Sequence, residues 1–258
     1  MTRIAIAAAL QEELGALLDA MPDEQPVRLA GREFWVGHLD GHDVVIALSR
    51  VGKVAAAMTA TLLVHEFGAR HAIFTGTAGG LDERARVGDV VVASALLQHD
   101  MDASPLFPRH EVPLYGTDRF ACDAALSNAL ADAARTVLAD ATGRGDASGL
   151  SAADLLPFAI TSPQVHAGLV VSGDRFVASA AEGAELRRRL PDALAVEMEG
   201  AALAQVCHDL GVPCAVVRTI SDRADNMATV DFGRFVESVA SRYTVAIVRR
   251  FLRSRPHD

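Results

Sequence analysis

The stretch RIAIAAALQEEL, residues 3–14, sets the pattern that the rest of the chain repeats. Residues 3–10 form an almost continuous apolar run, which is typical of a strand covered on both faces. Residues 12–21 follow at once with the apolar spacing of a helix. A buried strand that leads directly into a helix is the unit of α/β folds, so this stretch predicts an α/β protein.

The same alternation continues to the end of the chain. Further strands are predicted at 27–31, 32–41, 42–49, 71–76, 87–98, 166–173, 194–197 and 213–222. Further helices are predicted at 53–67, 122–141, 180–190, 199–210 and 231–253. Residues 142–164 are rich in Gly, Ser, Ala and Pro, and we expect an irregular insertion there. Because no long polar linker interrupts the pattern, we expect one domain over residues 1–258, with a mixed, partly parallel sheet flanked by helices.

Composition excludes several classes of protein. The formal net charge is −9, which argues against nucleic acid or an anionic membrane as a partner. Three cysteines without a CxxC motif argue against a disulfide framework and fit a reducing compartment. The apolar N-terminal run is too short to span a bilayer, and Gln11 and Glu12 follow it at once, unlike a signal peptide. We therefore expect a cytoplasmic protein with no membrane partner.

Metal-binding and common nucleophile motifs are missing from the sequence. His38 and His42 are four residues apart, but Asp40-Gly41 between them predicts a turn, so they do not share a helical face. The glycine-rich TGTAGG stretch, residues 75–80, has neither the Lys of a Walker loop nor GxGxxG spacing. No GxSxG motif is present. We expect no metal and no bound cofactor.

Acidic and glycine-rich segments follow the predicted strands. Glu12 and Glu13 follow the first strand, and TGTAGG, SGDRFV (172–177) and SDRAD (221–225) each follow a later one. Because ligands of open α/β sheets bind beyond the carboxyl ends of the strands, these segments predict a site at one edge. Each segment also has an ordinary structural explanation: a helix start, a tight turn or a helix cap.

The apolar segment AVEMEGAALA, residues 195–204, contains two carboxylates, Glu197 and Glu199. Because burying an unpaired carboxylate is costly, their presence there indicates a specific role. If both Glu197 and Glu199 were helical, their side chains would point about 200° apart and could not share one site. We therefore expect one of them to act on a ligand and the other to satisfy the scaffold.

Taken together, several segments resemble one family. They are RIAIAAALQEEL, SRVGKVAAA (49–57), FTGTAGGL (74–81), VGDVVVAS (87–94), LVVSGDRFV (169–177), AVEMEGAALAQVC (195–207) and VPCAVVRTISDRAD (212–225). This set is similar to the 5′-methylthioadenosine/S-adenosylhomocysteine nucleosidases, which belong to the purine nucleoside phosphorylase and uridine phosphorylase superfamily. The matches run in order from residue 3 to about residue 250, and only residues 100–165 fit loosely. The combination of VEMEG with SDRAD is the specific part.

The resemblance implies hydrolysis of the N-glycosidic bond of a 5′-thioadenosine, with release of adenine. In that chemistry Glu13 is the general base toward water, and Asp222 protonates adenine N7. Glu199 accepts hydrogen bonds from the ribose hydroxyls, and Arg218 orients the catalytic carboxylates. Adenine is a poor leaving anion, and acid–base help of this kind is worth about 10²–10⁴ in rate.

The resemblance also assigns the residues that hold the nucleoside. Met198 packs on the sugar, Phe176 stacks on adenine, and the backbone of Val177 contacts the purine edge. Thr77 stands where the family usually has Ser. The remaining assigned residues are Ala78, Gly79, Glu197 and Ser221. The family forms homodimers, and we expect Phe107 and Pro113 to reach the site of a neighbouring subunit.

Three alternatives stay open at the level of sequence. Arg50 replaces a Gly of the family's turn and lies close to Lys53, so a phosphate-dependent phosphorylase is one alternative. Hydrolysis of a related nucleoside such as futalosine is a second, while 5′-deoxyadenosine is a further substrate within the main interpretation. A nucleoside sensor without activity is a third, although Glu13, Glu199 and Asp222 argue against it.

Overall fold

The computed structural model describes residues 2–143, 149–224 and 232–256. Its strands are β1 (Ile4–Ala8), β2 (Gln25–Leu29), β3 (Arg32–Leu39), β4 (His42–Leu48), β5 (His71–Phe74), β6 (Thr77–Gly80), β7 (Val90–Gln98), β8 (Arg119–Ala121), β9 (Val165–Ser172), β10 (Ala193–Glu197) and β11 (Cys214–Asp222). Its helices are α1 (Gln11–Leu18), α2 (Lys53–His65), α3 (Ala124–Thr142), α4 (Ala152–Leu155), α5 (Ala180–Arg189), α6 (Gly200–Leu210), α7 (Phe232–Phe235) and α8 (Ser241–Arg253). No described helix is long and apolar enough to cross a membrane.

The strands form one mixed sheet in the order β2-β3-β4-β1-β5-β11-β6-β10-β9-β7-β8. β1, β4, β5 and β11 run parallel at its centre, while the β2–β3–β4 hairpins are antiparallel. β7 pairs in parallel with β9 and also in antiparallel fashion with β11. The five strands β11, β6, β10, β9 and β7 therefore close into a ring. The predicted α/β class and mixed, partly parallel sheet are confirmed.

Helices cover both faces of this sheet. One core cluster joins β1 and β4 to apolar residues of α1, α3 and α8, with Leu14, Leu130 and Phe251 fully buried. The other joins the opposite faces of the central strands to α2 and α6, around Leu63 and Leu203. The apolar, aromatic-poor sequence suits this arrangement because small side chains let helices approach a parallel sheet closely.

Two parts of the structure differ from the sequence-based expectations. Residues 75–80 are not simply a loop, since Thr77–Gly80 forms β6 between β11 and β10. Residues 142–164 are not simply an irregular insertion. α3 continues through Thr142, and a helical turn begins after Ser151. Leu150, Leu155 and Ile160 pack into the main core and anchor this segment.

Some predictions fall outside the described residues. They concern residues 144–148 of the expected insertion, Asp225 of the SDRAD segment and residue 231 at the expected start of the last helix. Beyond residue 231 the last helix is not uniform. Val236–Ala240 has π-helical geometry between α7 and α8.

Candidate active site

A cavity of about 360 Å³ opens at the carboxyl ends of β1, β9, β10 and β11 and along β6. Its lining includes every residue that the resemblance assigned to the site of the same chain: Glu13, Thr77, Ala78, Gly79, Phe176, Val177, Glu197, Met198, Glu199, Arg218, Ser221 and Asp222. These residues come from five separated segments of the sequence. The fold thus brings the predicted residues to one place.

Glu13 lies in the first turn of α1 and is almost completely buried. Its Oε2 accepts a hydrogen bond from the backbone N–H of Leu10 at 3.1 Å. Its Oε1 accepts from the backbone N–H and the hydroxyl of Thr77, at 3.0 and 3.1 Å. Burial raises the pKa of Glu13, while the nearby Arg218 guanidinium opposes the shift. Glu13 therefore both caps its helix and faces the cavity, so the structural explanation and the functional one apply together.

Arg218 and Glu197 form a buried ion pair beside the cavity. Arg218 Nη2 lies 2.6 Å from Glu197 Oε2, and both side chains are at most 3% exposed. The guanidinium also lies over the ring of Phe74, 4.1 Å from its centroid. A methyl group on Gly76 would lie 2.7 Å from Arg218 Nη1 and 3.0 Å from Glu13 Oε1, so these two groups converge on one point. Glycine is required there to leave them room.

Glu197 ends β10 and is surrounded by donors from the protein itself. Its carboxylate accepts hydrogen bonds from the backbone N–H groups of Glu199 and Gly200, at 3.2 and 2.8 Å, and from the Ser172 hydroxyl. With Arg218 added, the acceptor capacity of Glu197 is largely used. These bonds give Glu197 a structural role, although its side chain also lines the cavity.

Glu199 has a different environment because it is the N-cap of α6 rather than part of the helix. Its Oε1 accepts a hydrogen bond from the backbone N–H of Gly52 at 2.8 Å. Burial, together with the neighbouring charge of Glu197, raises the pKa of Glu199 to about 7. In the described residues Oε2 accepts no hydrogen bond, so it is available to a ligand in the cavity.

Asp222 is the last residue of β11, at the end of the strand predicted over residues 213–222. Its Oδ1 accepts from the backbone N–H of Ala224, and its Oδ2 from the hydroxyl of Ser221, each at 2.8 Å. The carboxyl group is nearly buried and borders the cavity opposite an apolar wall. These local bonds fix the direction in which Asp222 faces.

The apolar wall is built around aromatic rings. Phe176 is 44% exposed and packs edge-to-face against Phe232, with ring centroids 6.1 Å apart. Val177 and Met198 extend the same surface. An exposed aromatic ring, apolar side chains and a carboxyl group around one cavity suit a flat heterocycle with polar edges.

Sequence reasoning missed several residues of the cavity: Ala9, Leu10, Val51, Arg175, Val196 and Phe232. Position after a strand was a usable signal for Ala9 and Leu10, which connect β1 to Glu13. Phe232 gave no such signal, because its place depends on how α7 packs over β11.

The two residues that were predicted to reach the site of a neighbouring subunit do not line the cavity of their own chain. Phe107 and Pro113 are half-buried in the segment between β7 and β8, and neither lines the cavity. The exposed Leu106 and Leu114 stand next to them. Their predicted role thus depends on a second copy of the chain.

The two cations that raised the question of phosphate are both engaged elsewhere. Arg50 has a positive φ of 65° and donates through Nη2 to the carbonyl of Gly31. Lys53 Nζ lies 2.5 Å from Asp100 Oδ1 and 3.1 Å from Gln98 Oε1. Neither residue lines the cavity. Across the described ranges no cluster of His, Cys, Asp and Glu is arranged to hold a metal ion.

The site can therefore carry out acid–base chemistry between two carboxyl groups. Glu13 and Asp222 sit in different environments, one beside a guanidinium and one beside a hydroxyl and an apolar wall. Different environments allow one carboxyl to accept a proton while the other donates one. Glu199 adds a third carboxyl that can accept hydrogen bonds from a ligand.

Comparison with known proteins gives a consistent result along the whole chain. A family model described as the phosphorylase superfamily matches residues 3–253. A 5′-methylthioadenosine/S-adenosylhomocysteine nucleosidase of Shewanella frigidimarina is 34% identical over 234 residues, which cover 91% of this chain and 92% of the relative.

Solved structures agree with the sequence comparison. The 5′-methylthioadenosine/S-adenosylhomocysteine nucleosidase of Neisseria meningitidis, in complex with methylthio-immucillin-A, has a TM-score of 0.84 and 34% identity, covering 99% of this chain and 100% of that one. The futalosine hydrolase of Helicobacter pylori has a TM-score of 0.80 and 30% identity, covering 97% of each chain.

Proposed function

This chain belongs to the phosphorylase superfamily and, within it, to the 5′-methylthioadenosine/S-adenosylhomocysteine nucleosidases, and on that premise we propose its reaction and the roles of its residues. The protein is an N-ribosyl hydrolase that acts on 5′-methylthioadenosine and S-adenosylhomocysteine. Water displaces adenine from the sugar, and the 5-substituted ribose is the second product. The reaction serves the salvage of methionine and purines.

This proposal rests on one observation: the side chains of Glu13, Glu199 and Asp222 line the same cavity. They lie on α1, at the start of α6 and at the end of β11, and no short motif contains all three. Buried carboxyl groups are costly to keep, so three of them at one cavity indicate a chemical task.

Glu13 is the general base. Its raised pKa brings the carboxylate closer to the working pH, where a base is most effective. The Thr77 hydroxyl lies 3.1 Å from Glu13 Oε1, so it helps to hold the attacking water. Arg218, fixed by Glu197, keeps the carboxylate oriented.

Asp222 is the acid that delivers a proton to adenine N7, so that the base leaves neutral. Phe176 stacks on adenine, and the backbone of Val177 contacts the purine edge. Ala78, Gly79 and Ser221 complete the wall around the base. Carboxylates near the sugar also stabilise the positive charge that develops there in the transition state.

Glu199 binds the ribose. Glu199 lines the cavity, and its Oε2, which accepts no hydrogen bond within the described residues, accepts from the sugar hydroxyls. Met198 packs on the sugar ring. A carboxylate that accepts from hydroxyl groups makes charge-assisted bonds, which are stronger than neutral ones.

Hydrolysis is favoured over phosphorolysis by the charges around the cavity. Arg175 and Arg218 are the cations of the described lining, and they pair with Glu182 and Glu197. Arg50 and Lys53 point to other partners. An incoming phosphate would meet the carboxyl groups of Glu13, Glu199 and Asp222, while both guanidinium groups of the lining already form ion pairs with carboxylates.

The working unit is a homodimer in the cytoplasm. Leu106 and Leu114, which are 85% and 92% exposed, flank Phe107 and Pro113 in the β7–β8 segment. Val54 of α2 is 81% exposed as well. A second copy that covers these side chains would bring Phe107 and Pro113 to a neighbouring site. The free, largely buried thiols of Cys122, Cys207 and Cys214 suit a reducing compartment.

A panel of nucleosides tests the reaction. We expect steady release of adenine from 5′-methylthioadenosine and S-adenosylhomocysteine in phosphate-free buffer, with no 5-substituted ribose-1-phosphate when phosphate is added. Turnover that requires phosphate would establish a phosphorylase instead. Preference for futalosine, or tight adenosine binding without release of adenine, would favour the corresponding alternative.

Amide variants test the two proton-transfer roles. Glu13→Gln and Asp222→Asn should each lower kcat by about 10²-fold or more, because each removes one acid–base group. Circular dichroism should show both variants folded. Near-normal turnover in either variant would contradict the role assigned to that residue.

A further inference from the structure

Helix α2 begins at Gly52–Lys53 without a side-chain cap of its own. Two carboxylates from distant segments take that place. Glu199 Oε1 accepts from the backbone N–H of Gly52 at 2.8 Å, and Asp174 Oδ1 accepts from the backbone N–H of Lys53 at 2.7 Å. The N–H groups at a helix start are partly positive and otherwise unpaired, so they bind carboxylates well.

Asp174 is itself held in place. Its backbone N–H donates to Asp100 Oδ2 at 2.9 Å, and Asp100 Oδ1 pairs with Lys53 Nζ. Although partial burial opposes the shift, the hydrogen bond from Lys53 holds the pKa of Asp100 below its usual range. Lys53, Asp100 and Asp174 thus form a closed loop of contacts, here called the α2 clasp. It joins three segments, those that follow β4, β7 and β9.

We propose that the α2 clasp is a positioning device for Glu199. By fixing the start of α2, it fixes the Gly52 N–H that orients the Glu199 carboxylate toward the cavity. Asp174, Asp100 and Lys53 do not line the cavity, so they act through Glu199 and not on a ligand. The expected effect on turnover rests on the proposed function, in which Glu199 binds the ribose hydroxyls.

The geometry leaves little freedom at this point. Gly52 has a φ of +97°, and a methyl group on it would lie 3.1 Å from Asp174 Oδ1. Glu199 receives from Gly52 the one hydrogen bond its side chain accepts among the described residues. Glu197 lies beside it and repels its charged form. A carboxylate held by one bond and repelled by its neighbour depends on that bond for its orientation.

Asp174→Ala tests the device, with Asp174→Asn as its conservative partner. Alanine removes the acceptor for Lys53 N–H, whereas the Asn amide oxygen keeps it. We expect Asp174→Ala to raise KM for 5′-methylthioadenosine about tenfold, the scale of one hydrogen bond to a charged group, with a much smaller change in kcat. Asp174→Asn should restore most of the affinity.

Two ligands separate positioning of Glu199 from general damage to the site. The affinity for adenine alone should be unchanged in Asp174→Ala, because adenine has no ribose hydroxyl. The affinity for a 2′,3′-dideoxy analogue of the nucleoside should be unchanged as well. Equal losses for all three ligands would overturn the proposal.

A control variant and a structure complete the test. Asp123→Ala removes the side-chain cap of α3, which accepts from Leu126 N–H at 2.8 Å away from the cavity. It should lower the melting temperature without changing KM. In a crystal structure of Asp174→Ala, the Glu199 Oε1 to Gly52 N distance should exceed hydrogen-bonding range.

The crystal structure reports on the clasp whatever the protein hydrolyses. If Glu199 keeps its bond to Gly52 in that variant, the clasp proposal is wrong even when the wild type releases adenine. If the wild type releases no adenine, the proposed function is wrong. The position of Glu199 in the crystal structure of Asp174→Ala then still tests whether the α2 clasp positions Glu199.

Discussion

At the scale of single residues, Glu197 and Glu199 show how strongly environment separates two identical side chains. Glu197 is surrounded by Arg218, Ser172 and two backbone donors, whereas Glu199 receives one backbone donor and faces the cavity. The sequence predicted that the pair would divide its roles, but on a helical geometry that the structure does not have. The kink between β10 and α6 separates them instead.

Glu197→Gln should destabilise the protein more than it harms catalysis. The substitution removes the carboxylate that pairs with the buried Arg218, and breaking a buried ion pair from one side costs about 3–5 kcal/mol of unfolding free energy. Urea denaturation measures this loss, with Glu12→Gln as an exposed control on α1. The folded fraction should retain more turnover than Glu13→Gln, and complete loss of turnover would reverse the roles of Glu197 and Glu199.

The pH dependence of stability reports on Glu199. Its pKa is raised from 4.5 to about 7 in the folded state, so the ligand-free protein should lose stability as pH rises through this window. By linkage, the loss attributable to Glu199 is on the order of 3 kcal/mol. Glu199→Gln keeps an acceptor for Gly52 N–H without the charge.

Denaturation of both proteins from about pH 4 to pH 8 checks this expectation. The variant should match the wild type near pH 4, where Glu199 is neutral in both states, and exceed it in stability near pH 8. Parallel curves over the whole range would mean that the Glu199 pKa is not raised.

At the scale of elements, β6 decides the shape of the site. It is only four residues long, yet it pairs with β11 on one side and β10 on the other. Its glycines let Asp222 and neighbouring backbone come close, since a methyl group on Gly79 would lie 2.9 Å from Asp222 Oδ1. The glycine-rich sequence indicated a turn, and strand pairing overrode that preference.

Gly79→Ala should therefore impair catalysis by displacing Asp222. We expect kcat/KM to fall by at least about tenfold, with an unfolding free energy lower by about 1–3 kcal/mol from overpacking. Gly15→Ala on α1 is the matched control, because a methyl group there meets nothing within 4 Å. The control should gain about 0.5–1 kcal/mol and keep full activity. Unchanged turnover in Gly79→Ala would show that Asp222 tolerates movement.

At the scale of the whole molecule, closure of β11, β6, β10, β9 and β7 into a ring gathers the site. The ring places the ends of β9, β10 and β11 around one space, while α1, which follows β1 in the adjoining part of the sheet, adds Glu13. The same architecture leaves the β7–β8 segment exposed, with apolar side chains at its tip.

Leu114→Asp tests the proposed dimer. Leu114 is 92% exposed with a positive φ of 72°, a conformation that Asp tolerates better than Leu. The variant should fold normally but shift from dimer to monomer in light scattering, with weaker nucleoside binding if Phe107 and Pro113 serve a neighbouring site. Leu156→Asp, at a leucine that is 66% exposed in another segment, should leave the oligomeric state unchanged. A wild type that is monomeric at assay concentration would end the dimer proposal.

The sequence by itself determined the fold class and most element positions, and its resemblance to one family assigned many of the residues that line the cavity. Apolar runs such as residues 3–10 and 213–222 identify buried strands because burial on both faces requires continuous apolar sequence. The VEMEG motif and the Ser221-Asp222 pair can be recognised in the linear sequence because each lies at the end of a single strand.

Only the tertiary structure decided which role each of those residues has in the candidate site. Neighbours from distant segments decide that Glu197 pairs with Arg218, whereas Glu199 accepts a hydrogen bond from a helix N-terminus and keeps one oxygen for a ligand. The strand character of Thr77–Gly80 and the burial of Leu150, Leu155 and Ile160 likewise follow from partners far along the chain. Local sequence does not encode these contacts, because their free energy arises only when the segments meet.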